Sequence, residues 1–371
     1  MRMIRSRARL SFVLGALAVM ALLGGCASAP PPAPAPAAAP PVKGEPPPSR
    51  VSLICHEGTT AARFDQLGVP DGEYPQGVVL SGDTTYVLFR PGRLMRLARK
   101  DGKIQAQMAL SKPGETWSAM DVDPADGSVW LVSESDLALR NISPDWKTKT
   151  VKLRKVEGDG GFSRVLAAPD ALYVTPTIAE KGVWRISRDG KVLGTEFPVA
   201  PPKADSREPD AGEPMSTEKI YLSPIRLERD EAGRIVAWNP LRHTVHRVDQ
   251  EGSWTPVEGA PVTKVSFSLP ETSVVKGIDV GGQDEQWYLP GLPGPLFHWK
   301  GRPVLLSSST SNRLGKNDTL LLVPEATGVR EMIETCYGAS ILGVATTAER
   351  YAAYSWNAII FGDFAGAPDL P

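Results

Sequence analysis

Histidine and cysteine are scarce in this chain of 371 residues, which has four of the first and three of the second. So few histidines leave little from which to build a metal centre. His243 and His246 stand three apart, and on a strand that spacing points them to opposite faces. His56 and His298 are isolated in the sequence, and none of the four sits in a Ser/His/Asp signature. Blocks of basic residues are also lacking, as is any interleaving of basic and aromatic side chains, which excludes nucleic acid as a partner. Finally, no stretch sustains a long helical period, which leaves strands as the building material.

What is present begins with Arg2, Arg5, Arg7 and Arg9, followed by an uncharged apolar run from Leu10 to Leu23. This is a secretory signal (residues 1–25), too short and wrongly flanked to span a bilayer. It closes on Leu23-Gly24-Gly25-Cys26, which resembles a bacterial lipobox. The resemblance implies lipidation at Cys26, and several acyl chains there give stable anchoring. Ala27, in place of Asp, implies an outer-membrane lipoprotein facing the periplasm or the cell surface. Residues 26–49 are almost wholly Ala and Pro, a composition that buries no core and extends as polyproline II. At ~3.1 Å per residue this tether reaches roughly 60 Å. Setting aside the four signal arginines leaves 37 basic against 42 acidic side chains, a net charge near −5. With Cys26 taken by lipid, Cys55 and Cys336 remain as an even pair in an oxidising compartment; the alternative is two buried free thiols.

From residue 50 to 365 short strands recur between turns. Arg96, Arg140, Arg185 and Arg247 occupy one position of a repeated strand that ends in a charged turn, and lie 44, 45 and 62 residues apart. Each repeat reads as four strands, as in Gly77–Leu80, Thr85–Phe89, Leu94–Leu97 and Ile104–Met108. Four such units are followed by a stretched fifth, starting at Val275–Val280 and Gln286–Leu289, and by a sixth that ends one strand short. The expectation is therefore a six-bladed β-propeller of four-stranded antiparallel blades with a short tail (366–371). A seventh blade within Leu296–Val323 is the alternative. Propellers often complete the last blade with a strand from the other terminus, a role for which Val51–Cys55 is available; it would bring Cys55 towards Cys336. The unit shape, and Asp121-Val122-Asp123-Pro124-Ala125-Asp126-Gly127-Ser128-Val129-Trp130 in particular, resembles the NHL-repeat propellers, which implies fold and not activity.

Aromatic residues on the second strand of successive units (Tyr86, Trp130, Tyr173, Trp238, Trp287, Tyr354) are read as packing between blades. Asp121, Asp123 and Asp126 echo a calcium loop with the wrong spacing, and a hairpin turn accounts for Asp126-Gly127. Asp121, Asp123, Arg226 and Asp279 interrupt otherwise apolar inner strands and are the candidates for lining the central channel. Two insertions, Pro201–Glu218 and Leu289–Asn317, are candidate working surfaces. The expectation is a lipid-anchored, non-catalytic binding or scaffolding module of the cell envelope, with an envelope protein as partner and no cofactor. The alternative follows from resemblance to gluconolactonase-like propellers: a metal-dependent lactone or sugar-ester hydrolase recruiting Glu57, Asn239 and Asp279.

Overall fold

The computed structural model describes residues 49–371 except 99–101, 111–114, 134–136, 154–160, 177–181, 198–218, 222–224, 231, 240–243, 250, 261–273, 277–285, 289–294, 308–317, 327 and 337–339. Cys26, Asp279 and His243 lie outside the described residues, as do the first insertion and parts of the second.

The strands occur in hairpins because turn residues with positive φ punctuate short β-branched and aromatic runs. After β1 (Ser49–Val51) and β2 (Thr60–Arg63), blade one comprises β3 (Tyr74–Ser81), β4 (Thr84–Arg90), β5 (Arg93–Ala98) and β6 (Ile104–Ala109). Blade two has β7 (Trp117–Val122), β8 (Val129–Ser133), β9 (Ala138–Ile142) and β10 (Thr148–Lys152). Blade three has β11 (Phe162–Ala167), β12 (Leu172–Pro176), β13 (Val183–Ile186) and β14 (Val192–Glu196). β15 (Lys219–Tyr221) precedes blade four, which holds β16 (Arg226–Arg229), β17 (Ile235–Asn239), β18 (Thr244–Val248) and β19 (Trp254–Pro256). The hairpin β20 (Val274–Lys276) and β21 (Gln286–Tyr288) then pairs with β15 as a small separate sheet. Blade five follows as β22 (Leu296–Trp299), β23 (Arg302–Ser307), β24 (Asp318–Glu325) and β25 (Gly328–Thr335). Blade six holds β26 (Ile341–Thr346), β27 (Arg350–Ser355) and β28 (Ala358–Asp363).

The result is a six-bladed propeller whose blades are all four-stranded and antiparallel. The fifth unit departs from the sequence expectation. Residues 274–276 and 286–288 stand outside the blades, and Leu296–Ser307, read as an insertion or an extra blade, supplies the two inner strands of blade five. Its turn is the two-residue loop Lys300-Gly301, both at positive φ as a type I′ turn requires.

Burial follows strand order. Second strands such as β8 and β12 are buried along their whole length, because each is sandwiched between the two neighbouring blades. Their alternate side chains therefore serve two different cores. In β4, Tyr86 and Leu88 join the wedge against blade two, while Val87 and Phe89 join the wedge against blade six. Six such wedges, one per blade junction, make up the hydrophobic interior. Outer strands carry the polar residues: β10 reads TKTVK with only Val151 buried, which protects an edge that would otherwise pair with another chain.

The ring closes at the N-terminal end of the described chain. β2 pairs antiparallel with β28 and completes blade six, so the closing strand is Thr60–Arg63 and not Val51–Cys55. The latter segment does something else. β1 adds in parallel to β25 at the outer edge of blade five, and Cys55 is disulfide-bonded to Cys336 with Cα atoms 5.2 Å apart. Glu334, wholly buried beside it, accepts hydrogen bonds from the amides of Leu53 (2.8 Å), Ile54 (3.1 Å) and Cys55 (3.3 Å). Tyr351 donates to the Ile54 carbonyl at 2.8 Å, and Leu53 and Ile54 enter the wedge between blades five and six. Residues 364–371 pack over blade five: Phe364 and Ala367 are buried, and Lys300 Nζ donates to the Ala367 carbonyl and pairs with Asp369.

Candidate functional site: the central channel

The six inner strands β3, β7, β11, β16, β22 and β26 neighbour one another around the whole ring. They enclose a channel of about 800 Å³ to which every one of them contributes wall residues. Much of that wall is apolar, with Val79, Met120, Leu166, Leu296 and Val344 among its members. Gln76, Ser81, Thr346 and Thr347 add uncharged polar groups on blades one and six, whereas the charged side chains all come from blades two to five.

There Arg164 of β11 reaches to Glu228 of β16, Nη2 to Oε2 at 2.7 Å, and its Nε donates to the Leu227 carbonyl at 3.3 Å. Glu228 also accepts from the Leu296 amide, so one carboxylate links blades three, four and five. Burial pushes its carboxyl above the ordinary value, and Arg164 and the amide pull the other way. The same pair raises the Arg164 guanidinium, chiefly through the charge on Glu228. Arg226, at the start of β16, is pushed below its ordinary value chiefly by burial, with the charge of Glu228 opposing and that of Arg164 adding to the shift. Arg164 is ringed by blades yet keeps 40 % of its side-chain surface open, whereas Glu228 keeps 9 %.

A second linkage lies one strand-end away. Asp121 Oδ2 accepts from the Ala167 amide (2.8 Å) and from Arg229 Nη2 (2.5 Å), and the same Nη2 donates to the Ala167 carbonyl (2.8 Å). Three blades are tied by these bonds. Asp121 thus lines the channel, already engaged by its arginine. Asp123 is not on the channel wall. It is fully buried at the β7–β8 hairpin, accepting from the Ala125 amide and Trp130 Nε1 and paired with Arg188 at 2.7 Å. Asp126 caps the same turn by accepting from the Ser128 amide at 2.8 Å, which is the hairpin role and not that of a calcium ligand. Asp121, Asp123 and Arg226 therefore stand in three different settings, not one constellation. The hydrolase set is not assembled either. Glu57 is exposed in the segment before β2, and Asn239 is buried at the end of β17, a second strand, so neither reaches the channel wall.

Four of the aromatic residues on second strands fill wedges as packing predicts: Tyr86, Trp130, Tyr173 and Trp238. Tyr354 differs. Inner-strand Gly343 lies opposite it, and a Cβ there would overlap its ring, 2.7 Å from Cζ. The ring occupies that space and lines the channel, and its hydroxyl donates to the Gln76 carbonyl of blade one at 3.0 Å. Burial raises the hydroxyl to about 12, with Arg164 acting in the opposite sense. Arg164, Glu228 and Arg229 were not singled out in the sequence, and Tyr354 was read there only as packing between blades. The signal for Tyr354 was small: Gly343 on the inner strand opposite leaves room for its ring.

Fold and site together define a closed six-bladed β-propeller with a polar seam in its channel. No family model and no curated protein sequence matches this chain. Among solved structures it is similar to a virginiamycin B lyase from Staphylococcus aureus, at 13 % identity and TM-score 0.43, over 82 % of this chain and 98 % of that one. It is also similar to a putative gluconolactonase, at 13 % identity and TM-score 0.46, over 88 % of this chain and 99 % of that one. Likeness at that level assigns no activity to this chain.

Proposed function

We propose that this protein is a lipid-anchored propeller of the cell envelope, carried on a Pro/Ala tether and working as a non-catalytic binding module. One observation carries the reading: the channel carboxylates are engaged in ties between blades. Glu228 is bonded to Arg164 and the Leu296 amide, and Asp121 to Arg229 and the Ala167 amide. A general base or metal ligand turns its lone pairs towards substrate. These carboxylates turn theirs towards neighbouring blades, which rigidifies a platform. Support for the anchor comes from the charged start, the apolar run and the Leu-Gly-Gly-Cys ending at Cys26, and support for reach from the tether.

The test is membrane fractionation with crosslinking of the full chain beside a Cys26→Ala variant. The expected result is a membrane-associated protein that crosslinks to envelope proteins, with both properties lost in the variant. A Cys26→Ala protein that fractionates and crosslinks as the wild type does would refute the anchored reading.

A further inference from the structure

We propose that the channel is a binding site for a small monoanionic carboxylate with an apolar or aromatic body, held by Arg164. The inference rests on the reading of the propeller as a binding module and names what its channel takes. A guanidinium offers five N–H donors in a fixed plane. Among the described residues, Arg164 uses two of its nitrogens: Nε on the Leu227 carbonyl and Nη2 on Glu228. Both bonds lie on one edge of the fork. The opposite edge, Nη1 with the second hydrogen of Nη2, is left on a side chain that lines the cavity and keeps 40 % of its surface open. That edge is the one that receives a carboxylate in a bidentate pair.

Four further features narrow the ligand. The cavity, at about 800 Å³, falls within the range of small-molecule sites, which are mostly apolar with a few convergent polar groups. Val79, Leu166, Leu296 and Val344 supply apolar wall, so the body of the ligand is apolar. Glu228 stands beside the guanidinium and repels a second negative charge, which selects a monoanion over a phosphate dianion. Tyr354, whose hydroxyl is held by the Gln76 carbonyl, adds an aromatic ring to the wall from blade six.

The experiment is calorimetric titration of the full chain with benzoate as the probe and benzyl alcohol as its neutral counterpart. Benzoate is expected to bind and benzyl alcohol to bind at least about tenfold more weakly, since the charge-assisted pair is missing. Arg164→Gln combined with Glu228→Gln keeps a neutral hydrogen-bonding pair in place of the ion pair, and its urea midpoint reports that it still folds. In that variant benzoate affinity is expected to fall at least about tenfold, whereas Glu228→Gln alone removes the negative charge beside the guanidinium and is expected to tighten binding. Absence of benzoate binding at millimolar concentration, equal binding of benzyl alcohol, or unchanged binding in the double variant would each overturn the proposal. None of these results bears on crosslinking to envelope proteins, so loss of the site and loss of the anchored reading are told apart.

Discussion

Replacing Glu334 by Gln is expected to abolish a pH dependence that this one buried carboxyl imposes on stability. The side chain is wholly buried, and burial raises its pKa from 4.5 to about 7 even though three amides donate to it. An acid whose folded pKa lies above its unfolded one binds its proton more tightly in the native state. Its contribution is therefore complete below about pH 4.5 and is lost as pH rises through about 7. A difference of that size corresponds to about 3 kcal/mol across the window. Glutamine stays neutral throughout and accepts through a single oxygen, which serves the Ile54 and Cys55 amides better than that of Leu53. The variant starts with an offset and shows no slope from this site. The assay is urea unfolding followed by tryptophan fluorescence under oxidising conditions, at steps from about pH 4.5 to about pH 7.5, with wild type and Glu334→Gln in parallel. Wild type is expected to lose about 3 kcal/mol relative to the variant over that range. Parallel profiles would refute the reasoning. A wild type that gains on the variant as pH rises would show that the three amides outweigh desolvation.

Reduction of Cys55–Cys336, or Cys55→Ser with Cys336→Ser, releases a loop of 281 residues. The chain-entropy model puts the loss at about 5 kcal/mol, read as a lower urea midpoint that reductant no longer changes in the double variant. Gly343→Ala drives a methyl into the Tyr354 ring and is expected to cost about 1–3 kcal/mol, with most of it recovered in Gly343→Ala/Tyr354→Leu; full additivity would refute the contact. Asp121→Ala leaves Arg229 and the Ala167 amide without their shared acceptor. Arg229 is 31 % exposed, so water relieves part of the penalty and the expected loss is about 2–3 kcal/mol, whereas Asp145→Ala in an exposed turn leaves the midpoint nearly unchanged.

The blades were legible because a propeller writes its second strands as apolar runs such as Val129–Val132 and its turns as Asp-Gly pairs, at a spacing one can count. Blade five was not, since its inner hairpin turns on Lys300-Gly301, a two-residue loop with no Asp or Pro to mark it. The closing strand was misplaced by one short segment. Val51–Cys55 is the more apolar candidate, but its apolar residues go into the wedge between blades five and six, and the plainer Thr60–Arg63 forms the antiparallel pairing. Pairing partners of the channel were hidden for a different reason. Arg164 and Glu228 lie 64 positions apart, Asp121 and Arg229 108 apart, and only the ring brings them together. A charged residue on an inner strand tells of an exception to the repeat without naming what it meets.

The covalent tie at Cys55 also decides where tension would travel. A pull applied ahead of Ser49 first meets the β1–β25 pairing and the three amides held by Glu334. It then passes through the bond between Cys55 and Cys336 into blade five. Thr60–Arg63, the strand that closes the ring, lies beyond that bond and off the line of force. A propeller clasped this way can be pulled from its N-terminal side without unzipping its last blade, and a reducing environment removes that protection in a single step.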